Sequence, residues 1–151
     1  MISIKKVGVC GAAGTMGAGI AIVAARAGFE TVAYDLSADA LDRAAAQSAG
    51  FFEKSVARGK MSEAERDAVL GRLSSSTDLQ DLSDCELVIE AVFEDLGTKK
   101  NLLKQLDGIC AEHTIFASNT STLSITEIAS GCERQDQVVG IHFCLPAQLM
   151  K

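Results

Sequence analysis

The chain lacks an excess of positive charge, paired cysteine motifs, a histidine cluster, all but one proline and any uninterrupted apolar run long enough to cross a bilayer. Each absence removes a class of function. Fourteen lysines and arginines stand against 20 aspartates and glutamates, a net charge of −6. No basic field covers such a surface, so nucleic acid is not the expected partner, and a polyanionic small ligand must be held by local groups. The five cysteines, Cys10, Cys85, Cys110, Cys132 and Cys144, are odd in number, widely spaced and free of any Cys-x-x-Cys pair. They read as reduced thiols rather than a disulfide framework or a zinc site. With only His113 and His142 for imidazole ligands, no metal is expected. Lys5-Lys6 and the uncharged stretch 7–25 imitate an export signal, but glycines at 8, 11, 14, 17 and 19 interrupt it. No membrane partner is expected, and the chain reads as a soluble, cytoplasmic protein.

What is present is a chain of 151 residues, 48% apolar and 23% charged, an ordinary globular composition with enough length for one sizeable core. Short apolar runs alternate with helical patterns, which predicts an α/β fold: a Rossmann-type doubly wound, mostly parallel sheet with helices on both faces. Strands are expected over 7–10, 29–34, 87–92, 114–117 and 138–143. Helices are expected over 15–27, with Gly28 as the stop, and over 37–58, 62–73 and 96–111. Ser62-Glu63-Ala64-Glu65 and Ser124-Ile125-Thr126-Glu127 each have the form of a capping box opening a helix. No repeat or linker divides the chain, and the single proline, Pro146, follows the last strand.

The first strand runs into Gly11-Ala12-Ala13-Gly14-Thr15-Met16-Gly17. Glycines let the backbone turn sharply and approach a pyrophosphate, and the helix that follows offers free N–H groups to the anion. Asp35 ends the second strand, 18 residues after Gly17, near the spacing of a carboxylate that binds ribose hydroxyls. An aspartate there repels a 2′-phosphate, so NAD is expected over NADP. The plainer reading is a tight turn with no ligand and an aspartate at the surface. The loop is one residue longer than the common Gly-x-Gly-x-x-Gly pattern.

Three further features lie at the expected carboxyl ends of strands: 90–95 with Lys99, the run Ser118-Asn119-Thr120-Ser121-Thr122, and His142-Phe143. They converge on one crevice, where a hydroxyl and an imidazole suit hydride transfer at an alcohol.

Taken together, Gly14-Thr15-Met16-Gly17, Val88-Ile89-Glu90-Ala91-Val92-Phe93-Glu94-Asp95, Ser118-Asn119-Thr120-Ser121 with Leu123-Ser124-Ile125-Thr126, and Gly140-Ile141-His142-Phe143 with Pro146 and Met150-Lys151 resemble the NAD-binding domain of the L-3-hydroxyacyl-CoA dehydrogenases. The resemblance spans essentially all 151 residues. It implies oxidation of the 3-hydroxyl of an acyl-CoA with NAD as the acceptor. It implies His142 as general base and Ser121 as the group that bonds the substrate oxygen beside the nicotinamide. Gly11, Ala12, Ala13, Gly14, Thr15, Met16, Gly17, Asp35, Glu94, Lys99 and Ser121 are then the cofactor contacts. Arg58 and Lys60, with Ser121, are the coenzyme A contacts. The alternatives are a histidine that caps a strand end, a serine that caps a helix, and Glu94 and Lys99 as a surface pair. Lys54 reads as part of a solvated face, and Phe51-Phe52 as core or as a surface for another domain.

Two departures carry expectations. Leu145 stands where relatives have an asparagine that contacts the nucleotide. The resemblance also implies a glutamate three residues beyond Lys151 that would orient His142, followed by a helical domain that covers the acyl site and forms a homodimer. The chain is therefore expected to be a cofactor-binding half, inactive alone, with apolar surface around Phe51, Phe52 and residues 145–150. The competing reading is a non-catalytic nucleotide-binding or interaction module.

Overall fold

Along the first strand, β1 (Lys6–Cys10), Val7 and Val9 point to one side and Gly8 and Cys10 to the other, and all four are buried. A strand that is apolar on both faces belongs inside a sheet covered on both sides. The same double burial recurs in β2 (Glu30–Tyr34), β4 (Leu87–Glu90) and β5 (Ile115–Ser118). In the computed structural model, which describes residues 3–149, these strands join β3 (Leu73–Ser76) and β6 (Val138–Gly140) in one sheet of order β3-β2-β1-β4-β5-β6. All five pairings are parallel, so the sheet is wholly parallel rather than mostly so.

The period-two alternation sorts the core into two layers. Val7, Val9, Ala33, Ile89 and Ala117 face α1 (Thr15–Arg26) and α2 (Ala38–Ala57), packing on Ile20, Ala21 and Leu41. Cys10, Val32, Val88 and Phe116 face the other way, onto Leu103 and Leu106 of α4 (Leu96–Ile109) and Ile128 of α5 (Ile125–Ala129). A satellite cluster of Ile22, Ala25, Phe52 and Val69 seats α3 (Glu63–Gly71) beside α1 and α2. No described helix is long and apolar enough to cross a membrane.

Local signals explain the boundaries. Ser62 and Glu65 form the reciprocal capping box expected of them. Ser124 accepts from the Glu127 N–H, but the return bond from Glu127 is not made, so that box is one-sided. Gly28 takes a positive φ of 102° just beyond α1 and stops it as expected. Three expectations need correction. Leu73 does not end a helix; it opens β3, whose Leu-Ser-Ser-Ser sequence has no apolar alternation because it lies at the sheet edge, half solvated. The strands expected over 87–92 and 138–143 end at Glu90 and Gly140. Beyond those points the backbone leaves the ladder to form the crevice. β1 lies between β2 and β4, so the strand order reverses there. Such a switch point opens a ligand crevice at the carboxyl ends of the strands.

Candidate functional site

On one side of the switch point sits the glycine loop. Gly11 has φ of 79°, and a Cβ there would stand 2.6 Å from the Ala91 carbonyl oxygen. A Cβ on Gly17 would stand 2.2 Å from the Gly11 carbonyl oxygen. Both positions therefore demand glycine, one for backbone conformation and contact, the other for the close seating of α1 on the loop. The N-cap of α1 is Gly14, which offers no side-chain cap, and the first turn holds no acid. The caps of α2 to α5, in contrast, each accept a backbone N–H through a side chain. The amino end of α1 thus keeps its positive pole open toward the crevice.

The extra loop residue is accommodated by a turn. The Gly14 N–H donates to the Gly11 carbonyl at 3.1 Å, and the Ala12 N–H turns inward to the Tyr34 carbonyl at 3.1 Å. The Ala13 N–H donates to Asp35 Oδ2 at 3.0 Å, while Leu36 N–H donates to Oδ1 at 2.7 Å. The loop itself orients the carboxylate. Asp35, Tyr34, Gly11, Gly14, Ala91 and Val92 line an open cleft. Leu36 and Phe93, 84% and 87% exposed, stand at its edges. Neither stands among the site residues that the sequence implied. Their signal was an apolar residue immediately after the strand-end Asp35 and another just before Glu94.

On the other side, the structure joins Ser121 and His142. Ser121 Oγ lies 3.0 Å from His142 Nε2, and both residues are exposed. His142 sits two residues beyond β6, and Ser121 three beyond β5, so adjacent strands deliver them. Asn119 fastens the two segments: its Oδ1 accepts from the Phe143 N–H at 2.8 Å. Glu94 holds the turn at 120–122, accepting from the Thr120 hydroxyl, the Ser121 N–H at 3.2 Å and the Thr122 hydroxyl at 3.4 Å. Partial burial pushes the Glu94 carboxyl up, but the Thr120 hydroxyl, the Lys99 ammonium and these donors outweigh it, leaving it below the usual carboxylate value.

Lys99 is not one of a surface pair, nor does it face the crevice. Its side chain is fully buried, with Nζ at 2.9 and 2.8 Å from the two Glu90 oxygens, 3.3 Å from the Val92 carbonyl and 3.4 Å from Glu94 Oε2. Ser118 donates its hydroxyl to Glu90 Oε1, and the Val92 N–H donates to Oε2 at 3.2 Å. Burial raises the Glu90 carboxyl despite the opposing pull of Lys99 and Ser118. A buried pair like this is costly to break, since removing one partner strands the other at about 3–5 kcal/mol. Glu90 and Ser118 were not singled out as site residues in the sequence. Their signal was a glutamate inside the apolar run Leu-Val-Ile-Glu, nine residues before a lysine.

Arg58 and Lys60 lie on the exposed turn after α2, flanking Gly59, and neither contacts the Ser121–His142 pair. Phe52 is fully buried and Phe51 half-buried, stacked edge to face at 5.4 Å, so the pair serves the core and not an exposed face. Leu145 and Leu149 are exposed as expected, but Ala147 is buried against α1, because residues 144–149 fold back over that helix. Met150 and Lys151 lie outside the described residues.

With this geometry in hand, comparison with known proteins is decisive. Residues 6–151 match the family described as 3-hydroxyacyl-CoA dehydrogenase, NAD binding domain. The chain belongs to that family. Among curated relatives, it is 43% identical to a 3-hydroxybutyryl-CoA dehydrogenase of Clostridioides difficile over 91% of this chain and 49% of that protein. It is also 43% identical to a 3-hydroxyadipyl-CoA dehydrogenase of Escherichia coli K12, over 100% of this chain and 32% of that protein. The crystal structure of a 3-hydroxybutyryl-CoA dehydrogenase from Escherichia coli K12 superposes with a TM-score of 0.96 at 42% identity, covering 99% of this chain and 32% of the other. The chain therefore spans about half or less of the length of these relatives. As a member of the family it is an NAD-binding domain of the 3-hydroxyacyl-CoA dehydrogenases, with the Rossmann-type fold that the sequence implied.

Proposed function

We propose that this domain is the cofactor half of a dehydrogenase that oxidises the 3-hydroxyl of an acyl-CoA to a ketone. The observation that carries the reading is the 3.0 Å contact between Ser121 Oγ and His142 Nε2 at the mouth of the crevice. A substrate hydroxyl set beside the pair can lie within hydrogen-bond reach of both. Ser121 orients its oxygen, and His142 Nε2 takes its proton. The Nδ1 face of the ring, turned away from Ser121, is where a carboxylate would fix the tautomer and steady the imidazolium.

The residues present fit NAD. The uncapped amino end of α1, the glycine loop that a Cβ would block and the amide-held Asp35 match a pyrophosphate and an adenosine ribose in turn. Leu36 and Phe93 would wall the adenine, and Glu94 would meet the nicotinamide-side ribose. The bound cofactor supplies the hydride acceptor. Arg58 and Lys60 offer positive charge for the phosphates of coenzyme A. The acyl contacts and the assembly interface belong, on this reading, to the part of the relatives' length that this chain does not span, so turnover by the chain alone is expected to be negligible.

Titration with NADH and NADPH, followed by nicotinamide fluorescence, tests the reading. NADH is expected to bind more tightly, and Asp35→Ala to weaken NADH by about tenfold while narrowing the preference, as the loss of a charge-assisted bond requires. Equal binding of the two cofactors by the unaltered chain would refute the role given to Asp35.

A further inference from the structure

Lys99 is tied to two carboxylates at different depths. Glu90, on β4, holds it from within through both oxygens, and Glu94, at the crevice, meets it from outside at 3.4 Å. Glu94 in turn holds the backbone N–H of Ser121 and the hydroxyls of Thr120 and Thr122. Ser121 is the partner of His142. The contacts therefore run without a gap from Ser118 and Glu90 in the core, through Lys99 and Glu94, to the serine–histidine pair. An ion pair whose only purpose was stability would be better replaced by apolar side chains, because desolvating two charges offsets most of their attraction. Here the buried ammonium has one face left over, and Glu94 occupies it.

We infer that Glu90 and Lys99 are positioning residues, a buried ion pair that fixes Glu94 and through it sets the geometry of Ser121 against His142. The inference rests on the proposed roles of Ser121 and His142. Lys99 holds Glu94 on the side facing the 120–122 turn. Glu90 keeps the ammonium from swinging out to Glu94 alone, and Ser118 and the Val92 N–H keep Glu90 in place. The same pair would set cofactor affinity, because Glu94 is the residue proposed to meet the nicotinamide-side ribose.

The test replaces the pair together, Glu90→Gln with Lys99→Met. Glutamine can set its carbonyl on the Val92 N–H and its amide on the Ser118 hydroxyl, which then accepts; methionine fills the channel, and no unpaired charge is buried. Two signals are read on the whole chain: the titration of His142 by NMR, with His113 as the internal control, and NADH affinity. The chain has only these two histidines, so His113→Gln assigns the signals. The expected result is a displaced His142 titration, an unmoved His113 and NADH affinity weakened by about tenfold. Glu94→Gln should displace the His142 titration less when added to the double variant than when made alone, since the pair acts through Glu94. A purely structural pair would leave both signals within about twofold of the original, whichever way the melting temperature moves; that outcome overturns the inference. If the double variant does not fold, Glu90→Asp, which keeps both charges but draws the carboxylate back by one methylene, reads the same two signals under the same criteria. An unaltered chain that binds no NADH would refute the cofactor reading, while the His142 titration still decides the positioning claim.

Discussion

Cys144 is the one exposed thiol of five, two residues after His142, whereas Cys10, Cys85, Cys110 and Cys132 are buried. Burial pushes Cys85 up to about 12 and Cys110 up to about 11, and raises Cys10 and Cys132 as well. Since the thiolate is the nucleophile, those four are protonated and shielded at neutral pH. One equivalent of a thiol reagent should react rapidly with the native chain, and the remainder only in denaturant. Cys144→Ser should remove the fast phase, and a second fast equivalent would show that the core opens. At this scale the sequence was legible where a side chain's chemistry pointed outward, as with Ser121, His142 and Asp35. At Lys99, implied as a cofactor contact with a surface pair as the alternative, neither reading foresaw the full burial of the side chain. Only the three-dimensional proximity of Glu90, nine residues earlier on a strand, explains its burial.

Elements were legible wherever periodicity or a cap marked them. The buried strands, the long helix α2 and the capping box of α3 follow from their sequences. β3 was not legible, because its pairing with β2 supplies what its own residues do not. The same dependence on neighbours rules the glycine loop. Gly17→Ala puts a methyl 2.2 Å from the Gly11 carbonyl oxygen, so loop and helix must part. Loss of about 1–3 kcal/mol of stability is expected, together with loss of NADH binding. Gly14→Ala is the control: its nearest neighbour would be 3.4 Å away, an ordinary contact, and thermal melting should barely change. If both variants melt alike, the close seating of α1 is not what requires Gly17.

For the whole molecule, the reversal of strand order at β1 divides the crevice. Asp35 and the glycine loop stand at the ends of β2 and β1, while Glu94, Ser121 and His142 follow β4, β5 and β6. The doubly wound order was legible as a class from the alternation of elements, but the register that brings Ser118 beside Glu90 was not. A dinucleotide laid across this divide is in effect two ligands joined by a short tether, and its affinity contains an effective-concentration gain that neither half has alone. Adenosine diphosphate should therefore compete with NADH on the unaltered chain, bind more weakly to Asp35→Ala, and be indifferent to Ser121→Ala. If Ser121→Ala weakened it equally, the two stations would be one. The tether also gives release an order of events: either end can let go and rebind before the other follows, so the cofactor's departure need not wait for both ends to open at once.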